Sequence, residues 1–293
     1  MADKEIDKVS GVETTGHEWD GIKELNNPLP RWWLWTFYAT VVFSIGYMAY
    51  YPAIPLIEGS TMGMSGETNR SVLQADLKAA DDAKAGLVSQ IEQASLQDIR
   101  TTDELLRFAV AGGSSLYKVN CSQCHGSGAQ GAPGYPNLND DDWLWGGDLE
   151  AIYTTIKHGV RNGTDDARDS QMPAFGEGIL EQPQIVQVAH YVMQLSGQEH
   201  DAAAASTGKE LFAENCASCH GDDGKGGRDF GAPNLADQLS LYGNTLETVA
   251  TQISKPKHGV MPAWGERLTE AQVKQLTVYV HTLGGGEQAA ATQ

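Results

Sequence analysis

The sequence predicts an all-α protein: a single N-terminal transmembrane helix, a helical linker and two tandem helical domains. Three observations carry that expectation. An uncharged run from Trp32 to Tyr51 follows a polar N-terminal stretch. Apolar residues from Leu73 to Ala94 recur at helical spacing. Residues 102–286 hold the same ordered set of short motifs twice.

Length and charge bound the function. A chain of 293 residues allows about two modest domains with extra segments, and 41% hydrophobic content supports folded cores. The net charge is -18. Phosphate binding wants concentrated Lys and Arg, so nucleic acid is excluded as a natural partner, and a basic protein suits the surface better. Plain solubility of an acidic surface is the competing explanation.

Residues 1–31 are polar and acidic, with Asp3, Glu5, Asp7, Glu13, Glu18, Asp20 and Glu24, and read as a loosely ordered tail. Residues 32–51 read as the membrane span. A helix of that length covers about 30 Å, the hydrocarbon thickness of a bilayer. A cleaved signal peptide would have a basic front and a shorter apolar core; this run has an acidic front and bulky Tyr50 and Tyr51 at its end. Trp32, Trp33 and Trp35 at one end and Tyr47, Tyr50 and Tyr51 at the other suit the headgroup layer. Residues 52–101 form a linker. Pro52 and Pro55 stop the helix, Gly59 to Gly66 is rich in Gly, Ser and Met, and Leu73, Leu77, Ala80, Leu87, Ile91 and Ala94 mark an amphipathic helix.

The repeats, 102–198 and 204–286, carry the chemistry. Cys121-Ser122-Gln123-Cys124-His125 and Cys216-Ala217-Ser218-Cys219-His220 use all 4 cysteines of the chain. Each is Cys-x-x-Cys-His, the attachment pattern of a c-type haem: Cys121 with Cys124, and Cys216 with Cys219, hold one porphyrin each, and His125 and His220 reach the iron. A zinc ribbon would need the four sulfurs close together in one small fold, and neither zinc nor a redox dithiol requires the adjacent His. The second half of each repeat agrees. Pro136-Asn137-Leu138 matches Pro233-Asn234-Leu235, His158-Gly159-Val160 matches His258-Gly259-Val260, and Met172-Pro173-Ala174-Phe175 matches Met261-Pro262-Ala263-Trp264. An amphipathic segment closes each copy, the second opening on a capping box from Thr269 and Gln272. The fold class is therefore two tandem c-type cytochrome domains behind the anchor and linker.

Met172 and Met261 are the expected second axial ligands, because a thioether favours ferrous iron and raises the potential. His158 and His258 are the rival donors; their position suits the end of a middle helix, where an imidazole satisfies terminal carbonyls or meets a haem carboxylate. Own-repeat ligation is the simple expectation, but packed domains can exchange their Met loops, and spacing leaves both open. Arg161 to Gln171 is an insertion unique to the first repeat, either a partner contact or a tolerated surface loop. With both iron faces filled, the chain has no catalytic centre of its own and works by electron transfer.

Together, the acidic tail, the aromatic-flanked span running into Tyr51-Pro52-Ala53-Ile54-Pro55, the Gly-rich stretch ending near Arg70, the amphipathic linker and the two haem repeats with Met-Pro loops resemble the membrane-anchored dihaem subunit of cbb3-type cytochrome c oxidases, the CcoP/FixP family. The similarity covers about residues 20–285; the anchor and linker carry the narrow assignment. The resemblance implies two covalent c-type haems and a single-pass protein of the bacterial inner membrane, with its tail inside and its haem domains in the periplasm. It also implies the partners: cytochrome c as donor, the monohaem cytochrome subunit and the large catalytic subunit of a proton-pumping oxidase, and membrane lipid. A free-standing membrane-anchored dihaem carrier, or the cytochrome subunit of a dehydrogenase, shares every motif and is the alternative. A dihaem peroxidase would need an open iron, against which two Met-Pro loops argue.

Overall fold

The computed structural model describes residues 5–288; residues 1–4 of the expected tail, Asp3 among them, lie outside that range. It divides into two compact units, one up to Ala83 and one from Lys84 onward.

The first unit corrects the expectation of a loose tail. β1 (Thr14–Trp19) and β2 (Ile22–Leu25) form an antiparallel hairpin in which Trp19 faces Ile22 and Glu18 faces Lys23. The turn residues Asp20 and Gly21 have φ of 48° and 84°, the left-handed pair of a type I′ turn, and Asp-Gly is the dipeptide that favours it. That signal lay in the sequence under a high charge density. Thr14 is buried, and a bridge from Ile6 to Glu13 extends the hairpin's base.

α1 (Arg31–Tyr50) starts where Pro30 stands, its carbonyl accepting from the Leu34 amide, and stops at extended Tyr51. None of its residues is buried. On mean hydropathy no helix of the described residues, α1 included, is long and apolar enough to cross a membrane, because Trp, Tyr, Thr and Ser dilute its Val, Ile, Leu and Phe. The chain then turns back: β3 (Pro55–Leu56) pairs with β4 (Gly59–Ser60), and the amides of Met64 and Ser65 donate to the Ala49 and Tyr50 carbonyls at 3.0 and 2.9 Å. Those bonds satisfy carbonyls that a helix end leaves free. The two short hairpins are the departures from an all-α fold.

α2 (Asn69–Gln93) is the expected amphipathic helix, but its stripe is used only in part. Ile91 is fully buried with Leu87 and Val88 against it, whereas Leu73 and Leu77 are exposed. The second unit continues with α3 (Leu96–Thr101), capped by Ser95, and α4 (Asp103–Asn120), which runs into the short α5 (Ser122–His125). α6 (Leu149–His158), capped by Asp148, and α7 (Gln182–Leu195) complete the first repeat. α8 (Ala202–Asn215), α9 (Ala217–His220), α10 (Leu246–Ser254) and α11 (Glu270–His281) are their counterparts in the second. The predicted capping box at α11 is present: the Gln272 amide donates to Thr269 Oγ1, and the Thr269 amide to Gln272 Oε1.

The helices pair across the repeats. α4 packs on α11, and α8 packs on α7, so each repeat's first helix lies on the other's last. The middle helices follow, α6 on α11 and α10 on α7. Glycines set the two crossings. A Cβ at Gly113 of α4 would lie 2.3 Å from the Gln275 carbonyl oxygen, and one at Gly208 of α8 would lie 2.0 Å from that of Gln187. One turn further along, an aromatic pair fills each crossing: Tyr117 with Tyr279 at 5.6 Å between centroids, and Phe212 with Tyr191 at 5.2 Å. Such ring pairs add about 0.5–1.5 kcal/mol beyond their burial. Residues 102–198 and 204–286 are therefore sequence repeats that fold into one compact unit, and neither closes its own core.

The exchange happens at the repeated His-Gly-Val. Val160 and Met261 pair as an antiparallel bridge, where the two chains pass each other. Gly159, at φ 72°, leaves no room for a side chain, since a Cβ would lie 2.3 Å from the Met261 carbonyl oxygen.

Candidate functional site

The two Cys-x-x-Cys-His turns are built alike. α4 and α8 end on Cys121 and Cys216 with φ of -110° and -119° and the same ψ of -32°. The amides of Cys124 and His125 both fold back on the Cys121 carbonyl, and those of Cys219 and His220 on that of Cys216, at 2.9–3.1 Å. Each turn thereby sets its two sulfurs and its imidazole at one helix end. Gly126 and Gly221, at φ of 82° and 76°, release the chain into the following loop.

That loop returns to hold the imidazole. His125 Nδ1 lies 3.0 Å from the Pro136 carbonyl oxygen, and His220 Nδ1 lies 3.1 Å from that of Pro233. With the Nδ1 proton donated to a carbonyl, Nε2 carries the free lone pair, which is how a metal-binding histidine is usually oriented. Burial lowers both imidazole pKa values, which favours the neutral ring, the form that binds metal. The repeated Pro-Asn-Leu was visible in the sequence, but the role of its proline was not, since the acceptor is a backbone carbonyl, which has no residue signature.

None of the four cysteines is in a disulfide. Cys216 is buried, Cys121 and Cys219 are half-buried, and Cys124 is exposed. Burial pushes the Cys121 and Cys216 thiols up to about 11. No group of three or more His, Cys, Asp or Glu side chains able to hold a bare metal ion occurs among the described residues.

The methionines divide across the repeats. Met172 packs against the cluster that includes Cys216, Phe212, Tyr191 and Ile253, and it lines a cavity of about 730 Å³ together with Cys216, Cys219 and His220. Met261 packs with Cys121 against the other cluster, formed by Tyr117, Ile152, Ile156, Val273, Leu276 and Val280. Each Met loop is anchored to the middle helix of the half it enters. The amides of Phe175 and Gly176 donate to the carbonyls of Ile253 and Ser254 at the end of α10, while Trp264 and Leu268 join the Met261 cluster beside α6.

The other histidines are occupied elsewhere or exposed. His158 Nδ1 lies 3.8 Å from Asp166, His190 accepts from the Asp201 amide, and His281 Nε2 pairs with the Glu287 carbonyl. His258 is exposed at the cavity rim. The inserted loop is exposed at residues 163–166 and 169, while its two arginines fold inward. Arg161 and Arg168 close it through backbone bonds, Arg161 amide to Arg168 carbonyl at 2.9 Å and Arg168 amide to Gly159 carbonyl at 3.1 Å, and Arg161, Ser170 and Gln171 line the cavity.

These features fit a covalent haem. Paired cysteines sit three residues apart on one turn, an imidazole has its Nδ1 held and its Nε2 free, and a thioether lines the same cavity. The volume lies in the range of cofactor pockets, and the wall is largely apolar, as a porphyrin requires.

Comparison with known proteins agrees along the whole length. A model of the N-terminal domain of cytochrome oxidase-cbb3, FixP, matches residues 11–58. A model of cytochrome c oxidase, cbb3-type, subunit III, matches residues 108–192 and 203–280. The chain is 54% identical to the cbb3-type cytochrome c oxidase subunit CcoP of Cereibacter sphaeroides, covering 94% of this chain and 95% of that one. It is 53% identical to the subunit FixPc of Rhizobium leguminosarum bv. viciae, and 54% identical to the subunit FixP of Sinorhizobium medicae, covering 98% of this chain and 100% of the relative in both cases. These matches support the oxidase subunit over a free-standing carrier. With helix-rich cytochrome c repeats and an N-terminal region of its own family type, the chain belongs to the CcoP/FixP family, the c-type cytochrome, electron-transfer subunit of cbb3-type cytochrome c oxidases.

Proposed function

We propose that this chain is the membrane-anchored electron-entry subunit of its oxidase and carries two covalent haems, each attached by one repeat and completed by the other. The observation that carries this reading is the exchange of Met loops. Met172 shares a cavity with Cys216, Cys219 and His220, and Met261 shares a cluster with Cys121. The first haem is then held by Cys121, Cys124, His125 and Met261, and the second by Cys216, Cys219, His220 and Met172.

Haem c, when bound, supplies one-electron iron chemistry. The protein's own part is placement. Pro136 and Pro233 fix the imidazole orientation through their carbonyls. With haem bound, Met172 and Met261 would offer a thioether to the iron, and their loops would keep substrate and water away from it. Because each half contains pieces of both repeats, one compact body would carry both haems. For a one-electron step about 59 mV shifts an equilibrium tenfold, so modest differences between the two pockets set the direction of flow.

α1 is the single-pass anchor in this reading. A helix that is uncharged after Arg31 and apolar on every side, with no residue buried, is unstable in water unless something covers it. Trp and Tyr lower its mean hydropathy, yet these are the residues that favour the membrane interface. The haem repeats stand in the periplasm of a bacterial inner membrane, where this attachment chemistry operates. The net charge of -18 steers a basic cytochrome c donor, with an on-rate that falls as salt rises. Electrons pass through the monohaem subunit to the oxygen-reducing large subunit of a proton-pumping complex.

The test is Met172→His and Met261→His, made singly in the membrane complex and read by redox-monitored optical spectra and cytochrome-driven oxygen uptake. The expected result is one lowered haem potential per variant and slowed uptake. A variant that leaves both haems unchanged assigns that Met to packing and returns His158 or His258 as the donor.

A further inference from the structure

The segments that lead to Met172 and Met261 are not equivalent, and the difference is the insertion unique to the first repeat. Val260 runs directly into Met261, whereas eleven further residues, from Arg161 to Gln171, precede Met172. Of those residues Arg161, Ser170 and Gln171 line the cavity that Met172 shares with Cys216, Cys219 and His220, and Arg161 brings a cation to it. Arg161 sits in the left-handed region at φ 50°, a conformation that a side chain of its size adopts only when its surroundings hold it there. Its Nε donates to the Gly259 carbonyl at 2.8 Å and its Nη1 to the Ser170 carbonyl at 3.0 Å. Ser170 is two residues before Met172, so the guanidinium is fixed beside the strand that carries the thioether.

Two of its edges are thus tied to backbone, while Nη2 has no hydrogen-bond partner among the described residues and the residue lines the cavity. No carboxylate lies within ion-pair distance of Arg161 among the described residues. The other charged groups on that wall are Asp140, Asp142, Asp237 and Lys257, with titratable His258 at the rim. Burial lowers the guanidinium's pKa, partly offset by Tyr242 and Asp169, but an arginine keeps its charge in any protein environment. A half-buried, fully charged fork with one open edge is a carboxylate receptor.

We propose that Arg161 binds a carboxylate of the haem in the second cavity and that its charge holds this haem at a higher reduction potential than the first. A positive charge near the iron disfavours the ferric state, which carries one more positive charge than the ferrous. The strand that leads to Met261 carries no such arginine, because Val260 runs directly into Met261. Arg168, the other inserted arginine, acts elsewhere: it donates from Nε to Thr155 Oγ1 and lies over the Trp145 ring at 5.3 Å, and it does not line the cavity. The inference rests on the two-haem reading above and adds an order to the two centres.

The experiment is an optical redox titration of the full chain with its haems, in detergent, for the parent, Arg161→Gln, Arg161→Lys and Arg168→Gln, with resonance Raman of the haem carboxylate bending band. Arg161→Gln is expected to shift the oxidised-to-reduced ratio of one haem about tenfold toward oxidised, a fall of about 59 mV. The same haem is the one lowered by Met172→His, and the other haem keeps its potential. Arg161→Lys keeps most of the potential but moves the bending band, and Arg168→Gln moves neither. If Arg161→Gln folds without haem, Arg161→Lys decides by its bending band. Unshifted potentials, an equal shift of both haems, or an unmoved band in Arg161→Lys overturns the proposal. A parent spectrum without two Met-ligated haems would instead sink the reading on which it rests.

Discussion

Val160 and Met261 exchange both of their backbone hydrogen bonds, at 3.0 and 2.9 Å, across a sequence separation of about one repeat. The strand that leaves the first repeat's middle helix passes the strand that leaves the second's, and each continues into the opposite half. Asn162 locks the crossing from one side, its Nδ2 donating to the carbonyls of His158 and Met261 at 2.8 and 3.0 Å. The relationship makes the two repeats obligate partners.

Expressed separately, residues 102–198 and 204–286 each lack the helix and Met loop that complete their half. Neither fragment is expected to show a stable Met-ligated haem by visible and circular-dichroism spectroscopy. Mixing the two restores the Met-ligated spectrum. A fragment that alone gives the parent spectrum would refute the exchange.

The helix crossings tolerate no side chain at Gly113 or Gly208. Alanine favours a helix over glycine by about 1 kcal/mol, but here the new Cβ meets backbone oxygen at 2.3 and 2.0 Å, and overpacking of that kind costs about 1–3 kcal/mol. The clash wins because backbone cannot rotate away. Gly208→Ala and Gly113→Ala should each lower the denaturant midpoint of the haem-loaded chain, Gly208→Ala by more.

Glu287 ties the end of the described chain to both repeats. Its carboxylate accepts from the Gly147 amide at 2.9 Å and from both terminal nitrogens of Arg228. Trp143 Nε1 donates to the Gly285 carbonyl alongside. Glu287→Ala removes a forked, charge-assisted contact and frees the 139–147 loop. Faster amide hydrogen exchange at Gly147, with little change at α4 or α8, is the expected outcome.

Tyr117 supplies a pH dependence with a definite sign. Its hydroxyl donates to the Gly126 carbonyl at 2.8 Å in the core, and burial pushes its pKa up to about 12, against about 10 when unfolded. Between those values the unfolded chain releases a proton that the folded chain retains, so stability present below pH 10 is lost as pH rises toward 12. Two pKa units correspond to roughly 2–3 kcal/mol. Tyr117→Phe should flatten the stability profile over that window in denaturant titrations; an unchanged slope would place the loss elsewhere.

How much of this was legible from residues alone follows from where each signal sits. The haem turns, the Met-Pro loops and the Thr269 capping box are local patterns, each complete within a few residues, and the repeat is legible as their recurrence in the same order. The Asp20-Gly21 hairpin was also local, but its acidic surroundings masked it as a tail. α2 was expected to be an amphipathic helix, and among the described residues only the end near Ile91 is packed, because periodicity reports which face is apolar and not what covers it.

By itself the sequence determined the chemistry of this protein: which sulfurs and imidazoles can hold a haem, which thioethers can complete it, and which family the chain resembles. Only the tertiary structure decided the pairing. The two repeats present the same glycine and aromatic at their first helices, Gly113 with Tyr117 and Gly208 with Phe212, and the same tyrosine at their last, Tyr279 and Tyr191. Either last helix could therefore close either first helix with the same local contacts, and no local signal separates own-repeat from exchanged packing. The choice is made at Gly159 and Val160, where the approach of two backbones from distant parts of the chain leaves space for one arrangement. The receptor role proposed for Arg161 and the carbonyls of Pro136 and Pro233 became readable for the same reason, since each depends on a neighbour that only folding supplies.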